Sequence, residues 1–462
     1  MAARSVTDPD VWWHLRTGEL ILQNHAVFHS DPYSFTKAGQ PWVDHEWLSQ
    51  VLIYELYRIA GFTGLIAGFA VVTAATFLIV FVRSPGRPYV AGAITTWGAV
   101  ASVPCWGVRP QMLTLLLASV FLLILERSEQ RPNLLWWTPL LMLLWVNLHA
   151  GYAVGMTFLL LFLVGEAVDA AFGNRQSPNV PKRFRTLAVV VVACLAVVPL
   201  NPYGTKMYRY PLETLHSRSM QAYIGEWLSP NFHHSMYAAT LLLIVAVLAI
   251  PAFSPQRLRA RDLLLLAVTM YAALRSVRHI PLFALIAVPL LSAMLQSWLE
   301  KSGKAHVFEF RPATPRKAAI NALVLAGVLL FAVIRVRHVV LQQPQNEARD
   351  FPFAAAAVLA NTKDPGPLLN HYNWGGYFIW KLYPEDKVYI DGRADLYGDS
   401  FMDDFSAVYH LTGPSWQNTL DRWHIHTVVL PPDAPLVAAL QCLPDWKTTF
   451  ADRQAVILTK VR

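Results

Sequence analysis

Long apolar stretches recur through the first three quarters of the chain and are separated by short polar connections. A helix of about 17 to 20 residues, rising about 1.5 Å per residue, crosses the hydrocarbon core of a bilayer. The pattern therefore predicts a polytopic helical membrane protein with about ten spans. The predicted spans are residues 64–82, 89–106, 111–126, 134–148, 151–170, 186–200, 236–252, 263–277, 280–298 and 318–336.

The composition supports this interpretation, because 55% of the residues are hydrophobic and only 15% are charged. The formal net charge is +8, but the basic residues collect in alternate connections such as RSPGR and SPQRLRARD. This bias marks cytoplasmic loops, so it explains the charge without a nucleic-acid partner. The three cysteines have no spacing typical of a disulfide framework or a metal site.

The charge bias also predicts which parts of the chain face outward. Residues 1–60, the loop 201–235 and everything after residue 337 lie outside. Because no span precedes the first sixty residues, we expect a further span upstream of Met1. Within the first segment, a helix that starts near Asp44 is amphipathic and is expected to lie along the membrane surface.

The chain beyond the last span follows a different pattern. Short apolar runs, PLLNH, KVYID, HTVVL and AVILTK, alternate with helical pieces and predict the strands of a small α/β domain. We therefore expect a mainly α protein with two domains, a membrane domain over residues 1–337 and a soluble outside domain over residues 338–462.

Polar side chains at membrane depth are costly, so ionisable groups at the outer ends of spans are the default functional candidates. The candidates are Asp8, Asp10, His14, Asp44, His45, Glu46, Arg109, Asn147, His149, Glu226, Arg275, Arg278 and His279. A carboxylate among them can accept a proton from an attacking hydroxyl, and an arginine can stabilise a departing phosphate. The set therefore favours a site for a lipid phosphate at the outer surface.

Several candidates also have structural interpretations. The Asp8-Pro9-Asp10 turn can simply cap a helix, and Arg275 and Arg278 can reach to the membrane surface. Asn147 and His149 can hydrogen-bond between helices. In the C-terminal part, Asp391-Gly392-Arg393 with Asp395 is interpreted as a structural polar turn at a strand end.

Several linked motifs resemble one group of membrane enzymes. They are DPDVWWHLRTGELI, DPYSFT, PWVDHEWLSQVLIYEL, LLWVNLHAGYAVG, NPYG, EWLSP and RSVRHIPLF. Together they are similar to bacterial members of the GT-C glycosyltransferase superfamily, over nearly the whole chain. The resemblance implies a multi-pass protein of the bacterial inner membrane with a periplasmic C-terminal domain.

The resemblance also implies a reaction. A sugar would pass from a polyprenyl-phosphate donor to a glycan, lipid or protein acceptor, among membrane lipids. An acidic residue of the first outside loop would act as base or metal ligand, and Asp8 and Asp10 match that position. Asp10 is the preferred catalytic residue, and the two carboxylates are the expected ligands of a divalent cation, Mg²⁺ or Mn²⁺. The other candidates are expected to bind substrate.

The start of the C-terminal domain distantly resembles the WWDYG region of oligosaccharyltransferases, but Asn373-Trp374-Gly375-Gly376-Tyr377 lacks its acidic residue. A peptide acceptor is therefore not supported. Two other functions stay open from the sequence, a lipid-phosphate transporter or flippase and a non-catalytic assembly protein that binds glycans.

Overall fold

The computed structural model describes residues 2–172, 180–304, 314–363, 365–413 and 416–461. Parts of two basic connections, residues 173–179 and 305–313, lie outside the described residues. The first helices are α1 (Val11–Asn24), α2 (Trp47–Arg83), α3 (Pro88–Ser102), α4 (Gln111–Arg127), α5 (Thr138–Leu148), α6 (Tyr152–Ala171), α7 (Val180–Val197), α8 (Lys206–His216) and α9 (Arg218–Tyr223). They are followed by α10 (Ala238–Ala249), α11 (Ala260–Arg275), α12 (Ile280–Lys301), α13 (Pro315–Asp350), α14 (Phe353–Ala360), α15 (Gly375–Leu382), α16 (Ala394–His410), α17 (Trp416–Arg422) and α18 (Pro435–Gln441).

Every predicted span falls on a helix, and the chain is a multi-pass membrane protein. In the described part of the chain, six helical segments are long and apolar enough to cross a bilayer. The six segments are Trp47–Arg83, Tyr152–Ala171, Lys182–Leu200, Ser235–Ala252, Val277–Lys301 and Pro315–Asp350. The other predicted spans correspond to the shorter helices α3, α4, α5 and α11.

Helix α2 combines the predicted amphipathic helix with the first predicted span. Its backbone leaves the helical region at Ala60 and at Gly61, where φ is 57°. A positive φ is readily adopted by glycine, which has no Cβ to clash with the backbone. Two helical pieces therefore meet at a kink here, which separates the predicted amphipathic helix from the predicted span.

Helix α1 packs between α2 and the C-terminal part of the chain. The ring of Trp12, 1% exposed, lies edge-on to Phe62, Phe351 and Tyr377, with centroids 5.0 to 6.2 Å apart. Such edge-to-face contacts add to the burial of the rings. The apolar side of the first outside segment thus forms part of the protein core.

The C-terminal part contains one four-stranded sheet in the order β1-β2-β4-β3. Its strands are β1 (Leu368–Asn370), β2 (Thr427–Leu430), β3 (Trp446–Ala451) and β4 (Val456–Lys460). Strands β1 and β2 are parallel, and β4 runs antiparallel to both of its neighbours. Three of the four predicted strands are confirmed.

The predicted strand KVYID is wrong, since Val388 makes only single bridges to Ser34 and Leu368. Strand β3 is not predicted from the sequence because it lacks an apolar run. Most of its side chains are exposed, and the central ones are polar.

The C-terminal part is joined to the membrane helices by packing as well as by the chain. Helix α13 continues without interruption across residue 337, the predicted domain boundary. One buried cluster unites Trp12 with Phe351, Trp374 and Tyr377, and a second lies around the sheet. The division into two domains at this residue stays a prediction.

Candidate active site

A cavity of about 470 Å³ lies between the ends of the membrane helices and the C-terminal part. Most of the predicted site residues line it, although they come from distant parts of the chain. They are Asp8, Asp10, Asp44, His45, Glu46, Arg109, His149, Glu226, Arg278 and His279. The fold thus brings the candidates together in one place, while the role of each stays a prediction.

The Asp8-Pro9-Asp10 turn places its two carboxylates differently. Asp8 Oδ1 accepts a hydrogen bond from the backbone N–H of Asp10 at 2.9 Å, and Asp8 Oδ2 lies 2.6 Å from Arg109 Nε. Asp8 therefore both shapes the turn before α1 and neutralises an arginine. Asp8 therefore has the structural role in the turn that the sequence suggests, and it also lines the cavity.

Among the described residues, Asp10 lacks such a close basic partner. Its Oδ1 accepts a hydrogen bond from Trp13 Nε1 at 3.1 Å. Burial and the nearby carboxylate of Asp8 raise the pKa of Asp10 to about 8. A carboxyl group with this pKa can hold or release a proton near neutral pH, which suits acid–base chemistry.

Arginines gather on the wall beside Asp8. Arg109 Nη1 donates to Glu226 Oε2 at 2.5 Å, and Arg278 Nη1 lies 3.6 Å from Glu226 Oε1. Burial acts to raise the pKa of Glu226, but Arg278 and Arg109 outweigh it, so the pKa lies below its ordinary value. The guanidinium of Arg278 also covers the ring of Trp227 at 4.5 Å, which orients it.

Three histidines surround Glu46. The Nε2 atoms of His14, His45 and His149 lie 3.9, 3.7 and 4.0 Å from its carboxylate oxygens. Burial, with Asp44 and Asp10 as lesser contributors, raises the pKa of Glu46 well above its ordinary value. Ligand atoms of His45, Glu46 and His149 lie within 4.8 Å of one another, which is close enough for one metal ion.

The hydrogen bonds of His149 indicate whether the cluster of His45, Glu46 and His149 is suited to bind a metal ion. Its Nδ1 accepts from the backbone N–H of Gly151 at 3.0 Å and lies 2.9 Å from Thr114 Oγ1. Because Trp145 Nε1 already donates to that hydroxyl oxygen, the hydroxyl hydrogen is free to point at Nδ1. A neutral ring that accepts at Nδ1 carries its proton on Nε2, which faces Glu46.

A metal-bound histidine has the opposite arrangement, since it donates its second ring N–H to an acceptor. The surroundings of His149 therefore direct its Nε2–H towards Glu46, 4.0 Å away, and do not favour a metal ligand.

The predicted cation on Asp8 and Asp10 must compete with existing partners. Both oxygens of Asp8 are already engaged, by Arg109 and by the backbone of Asp10. A shared cation would have to displace the guanidinium, so the pair does not form a free ligand set.

Three predicted residues do not line the cavity. His14 is buried behind Glu46. Asn147 accepts a hydrogen bond from Trp47 Nε1 at 3.0 Å and so joins α5 to α2. Arg275 donates to Gln221 Oε1 at 3.0 Å on the surface.

The C-terminal part also supplies cavity residues. Tyr372, Asn373, Arg393 and Asp395 line the cavity, and two of them, Arg393 and Asp395, belong to the turn interpreted from the sequence as structural. Arg393 Nη2 lies 2.8 Å from Asp31 and 2.7 Å from Asp391, so its charge is balanced internally. Asp395 accepts from Tyr210 OH at 3.0 Å. The cluster of charges in DGRAD is the sequence feature that points to this wall.

Aromatic side chains form much of the remaining surface. Trp13, Trp42, Tyr210 and Trp227 line the cavity together with Tyr372. Flat rings next to polar groups provide apolar faces and hydrogen-bonding edges, a combination suited to a ligand that has both characters.

Comparison with known proteins identifies the fold. No family model and no curated protein gives a match. The archaeal oligosaccharyltransferase AglB from Archaeoglobus fulgidus, solved with an inhibitory peptide and a dolichol-phosphate, is similar with a TM-score of 0.57 and 11% identity. The match covers 92% of this chain but only 66% of AglB.

Two structures of ArnT from Cupriavidus metallidurans also match, at 14% identity. The apo state gives a TM-score of 0.48 and covers 99% of this chain and 94% of that chain. The form bound to undecaprenyl phosphate gives 0.49 and covers 100% and 95%. The structural neighbours are GT-C glycosyltransferases, and this chain has the fold of AglB.

Proposed function

We propose that the protein is an integral-membrane glycosyltransferase that moves a sugar from a polyprenyl-phosphate carrier to an acceptor at the outer face of the inner membrane. The observation that carries the proposal is the meeting of Asp10, Arg109 and Arg278 in one cavity at the ends of the membrane helices. AglB, which shares the fold, was solved with a lipid phosphate of this class.

In this proposal Asp10 is the general base that accepts the proton of the acceptor hydroxyl. The acceptor O–H bond breaks as its oxygen bonds to the anomeric carbon of the sugar, and the proton passes to Asp10. The bond from that carbon to the phosphate oxygen breaks at the same time and releases polyprenyl phosphate. Asp10 suits this role because no basic side chain pairs closely with its carboxylate among the described residues.

Arg278 is the best-placed phosphate ligand of the three arginines in the cavity. Arg109 is held by Asp8 and Glu226, and Arg393 is balanced by Asp31 and Asp391. Arg278 has only the longer contact to Glu226 at 3.6 Å. A phosphate can therefore bind it without breaking a short ion pair.

The assay uses purified protein, a labelled polyprenyl-phosphate sugar and candidate acceptors, with and without Mg²⁺ or Mn²⁺. We expect labelled acceptor and free polyprenyl phosphate in equal amounts. Arg278→Gln should raise the KM for the donor by about tenfold to a hundredfold, as expected for loss of one charge-assisted contact. Arg275→Gln is the matched control, because Arg275 lies outside the cavity.

Absence of transfer with every donor and acceptor tested, by protein that binds the lipid phosphate, would count against this function. Equal effects of Arg275→Gln and Arg278→Gln would remove Arg278 from the phosphate site.

A further inference from the structure

A second cavity, of about 450 Å³, lies on the other side of Arg109. Its walls are the N-terminal segment from Arg4 to Asp8, the loop 104–109 and the second half of α13. Asp8, Pro104, Cys105 and Arg109 border both cavities. The candidate active site and this second cavity, which we call the α13 pocket, therefore share a wall that contains the ion pair of Asp8 and Arg109.

One face of α13 forms the long side of the α13 pocket. The lining residues on this helix are Arg335, Val339, Gln342, Asn346 and Arg349. Their spacing alternates between four and three residues, which places them on a single helical face about 21 Å long. The face is polar, and it has an arginine at each end.

The N-terminal segment is fixed against this face by hydrogen bonds. The backbone N–H of Val6 donates to Gln343 Oε1 at 2.8 Å, and Gln343 Nε2 donates to the carbonyl of Val6 at 3.0 Å. Asn346 Nδ2 also donates to Ser5 Oγ at 2.7 Å. Arg4 is thereby held on the wall facing α13.

The α13 pocket has more positive charge than its own carboxylates balance. Arg4 has only a long hydrogen bond to the carbonyl of Trp106, at 3.4 Å. Within the described residues, neither Arg4 nor Arg335 pairs with a carboxylate, whereas Arg349 is paired with Asp350. Burial lowers the pKa of Arg4, as expected for a partly buried cation without a counter-charge.

The pocket begins where the lipid-exposed part of α13 ends. Leu323, Leu330 and Phe331 are 74, 61 and 66% exposed, so this stretch presents apolar side chains outward. Arg335 follows within one turn of Phe331. In membrane proteins, arginines at the end of a span lie at the depth of the lipid headgroups.

We propose that the α13 pocket binds the phosphate of an anionic membrane lipid, with Arg4 and Arg335 as its ligands. Guanidinium groups form paired hydrogen bonds with phosphate oxygens, and the α13 pocket is lined by two of them that have no carboxylate partner among the described residues. The site lies outside the cavity proposed for glycosyl transfer, so it does not depend on that function.

Binding is measured with the full chain in detergent and tail-labelled phosphatidylglycerol as the probe. We expect saturable binding that falls by about tenfold or more in Arg4→Gln/Arg335→Gln, because two charge-assisted contacts are lost. Arg337→Gln is the matched control, since Arg337 is an exposed arginine of the same helix that does not line the pocket. Phosphatidylcholine should bind much more weakly.

Equal binding of phosphatidylcholine, or equal losses in the control and the double variant, would overturn the proposal. Displacement of the lipid by millimolar inorganic phosphate would show that free phosphate is the ligand and would overturn the lipid assignment. If the double variant does not fold, the exposed Arg335→Gln change alone carries the test. Glycosyl transfer by the same preparations reports separately on the proposed activity.

Discussion

The turn that contains Asp391 and the turn that contains Asp10 meet in the wall of the candidate active site. They differ in how their negative charge is balanced. Asp391 accepts from Arg393 Nε at 2.8 Å, from Arg393 Nη2 at 2.7 Å and from Tyr397 OH at 2.7 Å. Asp10 accepts from one neutral donor, Trp13. The first carboxylate is fully committed to the fold, whereas the second is held in place without a close cation.

The difference distinguishes a carboxylate that stabilises the fold from one that we propose takes part in the reaction. A buried carboxylate bound by its own arginine stabilises a turn, and little of its hydrogen-bonding capacity is left for a substrate. A buried carboxylate without that partner keeps its proton to higher pH. The two turns lie in contact, because Gly392 packs directly against Asp10.

The largest expected effect comes from breaking the balanced turn. Arg393→Met should destabilise the protein by about 3 to 5 kcal/mol, because Asp31 and Asp391 would remain buried without their cation. Thermal unfolding of the purified protein measures this loss. Arg209→Gln is the control, since the side chain of Arg209 is 82% exposed, and it should change stability by less than about 1 kcal/mol. Equal stability of both variants would contradict the structural role of Arg393.

The contact between the two turns gives the next prediction. An added Cβ at Gly392 would lie 1.8 Å from Asp10 Oδ1, so Gly392→Ala must displace the carboxylate. We expect transfer to fall by about a hundredfold, as expected for a misplaced reacting group, with a stability loss of about 1 to 3 kcal/mol. Gly413→Ala, which meets no atoms within 4 Å, is the control. Wild-type activity in Gly392→Ala would show that the position of Asp10 is not critical.

The pH dependence tests the unbalanced turn. Because the pKa of Asp10 is raised to about 8, its basic form becomes more abundant as pH rises from 6 to 8. Transfer should therefore increase with pH over this range and level off above it. A rate that is flat from pH 6 to 9, with the chemical step limiting, would exclude Asp10 as the base.

The raised pKa of Asp10 also affects the stability of the fold. This contribution to stability decreases as pH rises, whereas the transfer rate increases. The folded state binds the Asp10 proton more tightly than the unfolded state does, so this group stabilises the fold at low pH. That contribution is lost as pH rises from about 4 towards 8. The stability of Asp10→Asn should lack this pH-dependent contribution. The variant should therefore be more stable than the wild-type protein at pH 9. Parallel stability curves for both proteins would contradict the raised pKa.

The smallest expected effect concerns a partly exposed acid of α16. Asp399 accepts from Ser217 Oγ at 2.8 Å and from the backbone N–H of Ser219 at 3.0 Å. It therefore fastens the segment between Leu215 and Met220, which line the cavity. Hydrogen bonds from Ser219 and Ser217 hold the pKa of Asp399 well below its ordinary value. Asp399→Ala should raise KM by less than about tenfold and leave kcat unchanged. A large fall in kcat would place Asp399 in the reaction itself.

The sequence predicts much of this arrangement for an identifiable reason. Ionisable groups such as Asp10 and Arg278 are easily recognised near the ends of apolar spans. A charge is costly there, so it marks a candidate functional residue. The same reasoning predicts the helices, since apolar length determines a span. It also gives β1, β2 and β4, whose buried faces are apolar runs.

Other features depend on contacts that no local pattern contains. Arg393 reaches Asp31 across more than 350 residues of chain, so its charge balance is invisible in the motif DGRAD. The orientation of the His149 proton depends on Thr114, which belongs to another helix. Strand β3 has no apolar run and is positioned by its partner β4.

The central claim is that Asp10 takes the proton in glycosyl transfer. Its most direct test is transfer from a labelled polyprenyl-phosphate sugar by Asp10→Asn, with Asp262→Asn as a control outside the cavity. We predict that Asp10→Asn loses about 100-fold to 10,000-fold in rate, with normal membrane insertion and donor binding, while the control keeps its activity. Transfer by Asp10→Asn at the wild-type rate would contradict it.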